Sequence, residues 1–440
     1  MSSTAGDRET KSMLLNVGPS HPAMHGVIRL VTELEGETVV SVEAEIGYLH
    51  RAFEKSCENS SWTQAIPYTD RLNYVSPLIN NFGYCAAVEK LLGIKATERC
   101  DYIRVIMSEV SRITDHLTCI AASAMELGAM TAFLYLMKAR EYLYDIIEEV
   151  TGARITISYG RIGGVKGDLP EGLAERLETA LVKTEREIYE VHKLLTRNRI
   201  FVDRTREVGV LTRENALSYS ITGPMGRSAG IDYDLRKAFP YFVYDRVDFE
   251  VPLGERGDNY DRYLVRMEEM RQSIRIIRQC LKDIPGGPVS IDSNGKAMRP
   301  DELVDQAKMG GTAGLVNVVS SVEPTLEGTE RPFHDRIMPK DKSVALPSKG
   351  DTYGNIEGMM NHFKLIMNSH GIRPPEGDTY FAVEAANGEL GFYVASNGKD
   401  RPYRVRVRPP CFFNMAGLHT LLEGYMVADI VATFGSINMI

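Results

Sequence analysis

Two histidines, His21 and His25, stand four residues apart in Gly18-Pro19-Ser20-His21-Pro22-Ala23-Met24-His25-Gly26. Proline and glycine crowd this segment, so the rings belong to a shaped loop and not to successive turns of a helix. A neutral imidazole titrates near neutral pH and is able to flank a ligand. The alternative is that one or both rings satisfy backbone groups in a tight turn. A metal site is the weaker reading, because no cysteine or carboxylate stands nearby to complete the shell. Tyr74 follows the polar run Tyr68-Thr69-Asp70-Arg71-Leu72-Asn73. Its hydroxyl can hydrogen-bond an oxygen and release a proton if the conjugate base is stabilised; composition alone favours an ordinary core tyrosine. Glu126 interrupts the most apolar stretch, Ile120 to Met137. A carboxylate there needs a compensating charge or several donors, unless it emerges at one helix end to face the N-terminus of the next. A carboxylate behind a histidine would orient the ring and raise its proton affinity, which makes a Glu126–His25 contact the one to look for. Arg71, Arg104, Arg112 and Arg140 occupy the same polar seams. A guanidinium there would favour the reduced state of a buried redox centre or, more commonly, lock helices through carboxylates. Arg227, Arg236, Arg246, Arg256 and Arg262, interspersed with Asp232, Asp234, Asp245, Asp258 and Asp261, read first as an ion-pair network.

These side chains need elements to hold them. Met13–Val17 is a brief apolar run. Val27–Leu34 and Glu37–Val42 flank Gly36 and read as a hairpin. From Gly47 the pattern turns helical. Asp101 is placed to cap a helix in which Ile106, Val110, Ile113, Leu117, Ile120 and Ala124 recur at three- and four-residue steps. Further helices are expected over Ala129–Val150, halted near Gly152, and over Leu173–Leu195, Arg262–Leu281 and Gly354–Ser369. Between Lys296 and Thr352 a short helix over Asp301–Ala307 is the one regular piece expected. That stretch reads as an insertion, a partner-binding arm or a loop. Tyr380–Glu384, Leu390–Val394 and Tyr403–Arg408, separated by two Asn-Gly turns, predict an antiparallel β-meander. The pattern is α+β and mainly helical, with neither a dinucleotide glycine fingerprint nor a Walker A loop.

Composition narrows the classes. A chain of 440 residues with 43% hydrophobic content can bury a sizeable core. The 51 basic and 59 acidic side chains give a formal charge of -8, which argues against a general nucleic-acid binder. Cys57, Cys85, Cys100, Cys119, Cys280 and Cys411 include no CxxC pair, so a structural zinc or an in-chain iron–sulfur site is not expected. The opening MSSTAGDRETKSM lacks the apolar core of a secretory signal. Ile120–Met137 contains Glu126 and runs into Lys138 and Arg140, a better buried helix than a bilayer span. Membrane association is therefore expected only through partners.

Several blocks carry a resemblance. Asn16–Gly26, Gly47-Tyr48-Leu49-His50-Arg51-Ala52-Phe53-Glu54-Lys55, Ile103-Arg104-Val105-Ile106, Arg161-Ile162-Gly163-Gly164-Val165, Val251–Asp258 and Pro402–Arg408 together resemble the 49-kilodalton-type (D-type) family of respiratory complex I, in the expected order. That family is related to the large subunit of nickel–iron hydrogenases, which implies a hydrogenase-like helical core here. In hydrogenases two CxxC pairs hold the metals. The matching places, Glu54–Glu58 and the stretch around Ala428–Ile430, carry no such pair, and a thiolate-held nickel–iron centre needs several soft ligands. The old metal pocket should instead receive a quinone headgroup. By motif match His25 and Tyr74 hydrogen-bond that headgroup, Glu126 pairs with His25, and Arg71 supports the site and its proton coupling.

The resemblance further implies an NADH:quinone oxidoreductase that translocates protons and works only as a multisubunit complex. This chain alone would bind no cofactor. Quinone would be its substrate, and electrons would arrive from a [4Fe-4S] cluster in a small iron–sulfur (B-type) partner. Other expected partners are the 30-kilodalton-type (C-type) subunit, a membrane quinone-tunnel (H-type) subunit, and the remaining members of complex I. The expected location is peripheral, on the cytoplasmic side of a bacterial inner membrane or the equivalent matrix or stromal side. Residues 1–60 would form an N-terminal region with the quinone-site loop, 61–295 the helical core, 296–352 the insertion or partner-binding segment, and 353–440 a helix, the meander and the tail. The competing reading is a ferredoxin-linked complex-I-like subunit or a hydrogenase-derived scaffold.

Three departures from the family pattern stand out. Many relatives have Asp where Glu126 stands, one methylene shorter. Many place a histidine, near the terminal cluster, where Thr156 stands; threonine keeps a hydroxyl but cannot become a cation. Relatives also continue past the match to Gly435-Ser436-Ile437-Asn438 into an acidic segment ending in Asp-Arg, where the present sequence stops at Ile440.

Overall fold

The computed structural model describes residues 12–291, 344–347, 349–354, 356–367 and 370–439. In β2 (Arg29–Glu35) the side chains of Leu30, Thr32 and Leu34 turn inward at every second residue, as a half-buried strand requires. β1 (Ser12–Val17) and β3 (Thr38–Glu45) pair antiparallel on either side of it, with Glu35 opposite Thr38 across a two-residue loop at Gly36-Glu37. The expected hairpin is present but begins later. Val27 takes φ 54° and lies outside the strand, because the chain is still leaving the histidine loop there.

Helix α1 (Phe53–Asn59) and helix α2 (Pro77–Leu92) lead into α3 (Glu98–Glu126), the longest helix described. All six positions of the expected α3 stripe are buried. Its cap, however, is Thr97, whose hydroxyl accepts from the Cys100 amide at 3.3 Å. Asp101 sits inside the first turn and is itself buried. Helix α3 packs against α4 (Met130–Thr151), α7 (Asn259–Asp283) and α9 (Val427–Ile437), and so is covered on several faces. Helix α5 (Leu173–Leu195) lies on α4, and α6 (Arg199–Thr205) is a short connector capped by Asn198. Asp258 caps α7 by accepting from the Asp261 amide at 2.8 Å.

Because α3 is buried almost throughout, its charged residues must find partners inside. Arg104 forks onto Glu89 of α2 at 2.9 and 2.5 Å and also donates to the carbonyls of Arg161 and Gly164; Glu89 in turn accepts from the Gly163 amide at 2.7 Å. Arg112 binds Glu109 and the carbonyls of Glu384 and Ala385. Both arginines therefore lock elements together.

Toward the C-terminus, the expected helix over Gly354–Ser369 is present as a short Lys349–Gly354 turn and α8 (Ile356–Ile366). The meander is β4 (Gly377–Ala385), β5 (Gly388–Ser396) and β6 (Arg404–Arg408), all antiparallel in that order. Ala385 opposes Gly388, so the first turn is the two residues Ala386-Asn387. One apolar core joins the long helices. A second joins α1 and α2 to the meander, and a third joins the N-terminal sheet to the C-terminal helices. The fold is α+β and mainly helical. Most of the segment read as an insertion, including Asp301–Ala307, lies outside the described residues.

Candidate functional site

The histidine loop separates its two rings by role. His21 is spent on the turn: its Nδ1 accepts from the Ala23 amide at 3.2 Å and its carbonyl from the Met24 amide at 3.0 Å. His25 faces inward. Its Nε2 lies 2.6 Å from Oε1 of Glu126, the last residue of α3, and both side chains are mostly buried. This is the contact the sequence pointed to. Its distance is that of an ion pair, but it lacks the alignment of a hydrogen bond, so both buried Glu126 oxygens keep unspent acceptor capacity. Engaging Nε2 leaves Nδ1 as the ring nitrogen for a ligand.

Helix α9 forms the wall behind this pair. Phe434 meets the His25 ring edge-on at 6.3 Å between centroids. Gly435 lies where any Cβ would run into Oε2 of Glu126. The height of α9 against α3 is set by Ser123, whose hydroxyl donates to the Gly435 carbonyl at 2.8 Å. On the loop side, Gly26 packs against the main chain of Met439.

The loop that carries Tyr74 is tied to the same C-terminal segment by a different route. The buried Asp115 carboxylate, on α3, accepts from Asn73 Nδ2 at 2.8 Å, Ser76 Oγ at 2.6 Å and Asn438 Nδ2 at 2.6 Å. Asn438, in the left-handed region at φ 66°, also donates to Asn387 Oδ1 at 2.6 Å. The segment Phe434–Met439 thus touches the His25 loop directly and the Tyr74 loop through Asp115. Tyr74 itself is 48% exposed and makes no hydrogen bond among the described residues, so it is not the core tyrosine that composition favoured.

The other expected residues have partners of their own. Arg71 donates to its neighbour Asp70 at 2.9 Å and to the Pro67 carbonyl at 2.6 Å, and is half-exposed. Burial pushes the Asp70 carboxyl up even against that guanidinium. Thr156 lies in the loop after α4, exposed, with its hydroxyl turned back to the Ile155 carbonyl at 2.7 Å. Its φ of 54° is unusual for a β-branched residue. Arg140 stacks on Tyr144 at 4.9 Å.

Behind the site runs a buried charged network. His116 Nε2 lies 2.7 Å from Glu269, which accepts from Arg227 at 2.8 Å; Arg227 also binds Glu384, and Arg236 binds Asp234 and Glu109. Burial alone would raise the Glu269 carboxyl, but Arg227 and His116 hold it well below the usual carboxylate range. Burial lowers the His116 imidazole despite that carboxylate. The expected network therefore exists around Arg227 and Arg236. Arg262 departs from it: it donates to Asn259, Ser436 and the carbonyls of Gly209 and Gly257, all neutral, and burial brings its guanidinium down to about 9. One turn on, Arg266 is buried with Nε and Nη2 making no hydrogen bond among the described residues, beside a cavity of about 30 Å³ lined also by Ser123, Ser436 and Asn259.

The Glu54–Glu58 stretch joins two of the sequence blocks. Glu54 accepts from the Val407 amide at 3.0 Å and from Arg406, and Glu58 from Arg404 at 2.9 Å. Burial pushes the intervening Cys57 thiol up to about 12. Among the described residues, no three His, Cys, Asp or Glu side chains are grouped to hold a metal ion. No helix among them is long and apolar enough to cross a membrane.

Sequence reasoning pointed to the His25–Glu126 contact but missed Asp115, Asn438 and Gly435. Each matters through a contact far away in the chain and carries no local pattern.

A family described as respiratory-chain NADH dehydrogenase, 49 Kd subunit, matches residues 126–440. The chain is 50% identical over 432 residues to the D-type subunit of NADH-quinone oxidoreductase from Myxococcus xanthus, covering 98% of this chain and 92% of that one. It is 48% identical to the D-type subunit from Pelobacter propionicus, covering 97% and 94%. A C/D-type subunit from Bdellovibrio bacteriovorus is 45% identical, covering 98% of this chain and 68% of that longer protein.

Proposed function

The chain belongs to the 49-kilodalton subunit family of respiratory-chain NADH dehydrogenase and is a subunit of an NADH:quinone oxidoreductase, and on that premise we propose that His25 and Tyr74 receive the quinone headgroup. The reaction at the site is two-electron, two-proton reduction of quinone to quinol. The electrons are supplied by a [4Fe-4S] cluster in a small iron–sulfur (B-type) partner. As negative charge develops on the two quinone oxygens, the His25 ring and the Tyr74 hydroxyl stabilise it and deliver protons. Glu126 stabilises the imidazolium and holds the ring; it does not touch the quinone. Arg71 keeps the Tyr74 loop in charge balance through Asp70. Once His25 has lost its proton, the altered charge balance around Glu126 biases nearby loops and starts coupling to proton translocation in membrane subunits.

The observation that carries this reading is the 2.6 Å approach of His25 to Glu126, an ionisable pair with one ring nitrogen left over. The C/D-type relative supports a C-type partner beside this chain. An H-type tunnel partner, a peripheral position on the cytoplasmic face of the membrane, a core related to hydrogenase large subunits, and the division at residues 60, 295 and 352 belong to the same proposal. His25→Ala in the assembled complex tests it: quinone reduction should fall by on the order of 10² while reduction of the upstream clusters by NADH persists. Unchanged quinone reduction would overturn the assignment.

A further inference from the structure

We propose that Gly435 is the positioning residue of the His25–Glu126 pair: by having no side chain, it gives the Glu126 carboxylate the place from which it holds the imidazole. The inference rests on the reading of the site above and adds a residue to it.

The geometry is a two-sided wedge. One oxygen of Glu126 lies 2.6 Å from His25 Nε2, and the other occupies the space that a Cβ at position 435 would fill. Ser123 Oγ, itself 3.3 Å from that Cβ position, fixes the Gly435 carbonyl against α3. Asn438, bound to Asp115, fixes the end of the same helix. Helix α9 is therefore held at both places and cannot simply back away. Phe434, the adjacent residue, bears on the edge of the imidazole.

An added methyl group at position 435 would run first into the tip of the flexible Glu126 side chain, and its next neighbours are Ser123 Oγ and the same carboxylate, not backbone. The fold should accept it by moving the carboxylate. Because the other oxygen faces His25, that movement reaches the ring, and a displacement of about 1 Å at a reacting group is enough to cost on the order of 10² in rate. Glutamate makes the wedge tight, since it has one methylene more than aspartate with which to span from α3 to both neighbours. Retracting the carboxylate by that methylene should make room for the methyl group again.

The test uses the assembled complex carrying Gly435→Ala, Glu126→Asp, and both together. Quinone reduction is followed across pH, with reduction of the upstream clusters by NADH as the assembly control. Gly435→Ala should lower quinone reduction about tenfold or more and displace its pH profile. The double variant should return to within about threefold of Glu126→Asp alone, with the profile restored. A Gly435→Ala complex indistinguishable from the parent overturns the proposal, and so does a double variant no better than Gly435→Ala. If Gly435→Ala alone prevents assembly, recovery of assembled complex by Glu126→Asp is the same compensation read at folding, and its failure overturns the idea. His25→Ala separates the two layers: loss of quinone reduction there together with null Gly435 results removes only the present inference. Retention there removes the reading of the site itself.

Discussion

Asn438 donates to Asp115 at 2.6 Å across 323 residues of chain, tying the end of the last helix to the middle of the longest one. The same carboxylate holds Asn73 and Ser76, on either side of Tyr74. Asp115→Ala should therefore loosen both walls at once. Leaving three donors, two of them buried, without their acceptor costs roughly 3–5 kcal/mol, so the complex should melt at lower temperature and KM for quinone should rise. Asp115→Asn keeps one acceptor oxygen and should fall between. Equal melting of parent and Asp115→Ala complexes would count against this role.

Tyr74→Phe removes one hydroxyl from an exposed ring that makes no hydrogen bond among the described residues. Nothing in the fold should notice. Quinone reduction should fall by about tenfold with assembly and thermal stability unchanged, whereas a drop in stability would restore the structural reading of this side chain.

Thr156 is exposed and, among the described residues, its hydroxyl makes only a local hydrogen bond. If it faces the partner's cluster, it supplies no titrating cation there, and the cluster potential should depend weakly on pH. Thr156→His should steepen that dependence between about pH 6 and about pH 8, the range over which an imidazole titrates. A redox titration of the complex decides it; a steep dependence already present in the parent would defeat the idea.

Burial pushes the Asp101 carboxyl up from 3.8 to about 7, with Arg104 and Lys95 opposing the shift. A raised acid contributes stability that is fully present below its unfolded value and is lost as pH rises from there to the folded value. The parent should lose stability from about pH 4 to about pH 7, and Asp101→Asn should flatten that slope. At pH 8 the variant should be more stable by on the order of 2–4 kcal/mol. Thermal unfolding of both complexes across this range is the check, and parallel curves would rule the effect out.

Arg227 and Arg266 are both buried, but among the described residues only Arg227 has carboxylates on it. Arg227→Met should cost about 3–5 kcal/mol by stranding Glu269 and Glu384. Arg266→Met, which strands no ion-pair partner among the described residues, should be neutral or stabilising in the same melting experiment. Equal losses for the two would contradict the distinction.

These outcomes depend on features of very unequal visibility in the sequence. The α3 stripe, the meander and the hairpin were legible because period and turn chemistry are local. Glu126 was legible because a carboxylate in an apolar run demands a partner, and a carboxylate behind a histidine such as His25 would orient the ring. The cap of α3 was misplaced at Asp101 because both Thr97 and Asp101 suit such a position, and only packing shows that the helix starts a turn earlier. Asp115 looked like one more polar residue on a helix. Its donors come from positions 73, 76 and 438, and no periodicity links those three. Gly435 was invisible for a deeper reason: what it contributes is vacant space, and space acquires meaning only when something else is known to fill it.

The wall built by α9 has a consequence for how the protein is made. His25, Tyr74 and Glu126 leave the ribosome well before Phe434, Gly435 and Asn438, which lie some three hundred residues or more further along the chain. A nascent chain would carry the ionisable pair with one flank open to water until that segment has emerged and docked. Competence at this site should therefore arise abruptly, when that segment docks, giving assembly machinery a natural moment at which to add partners.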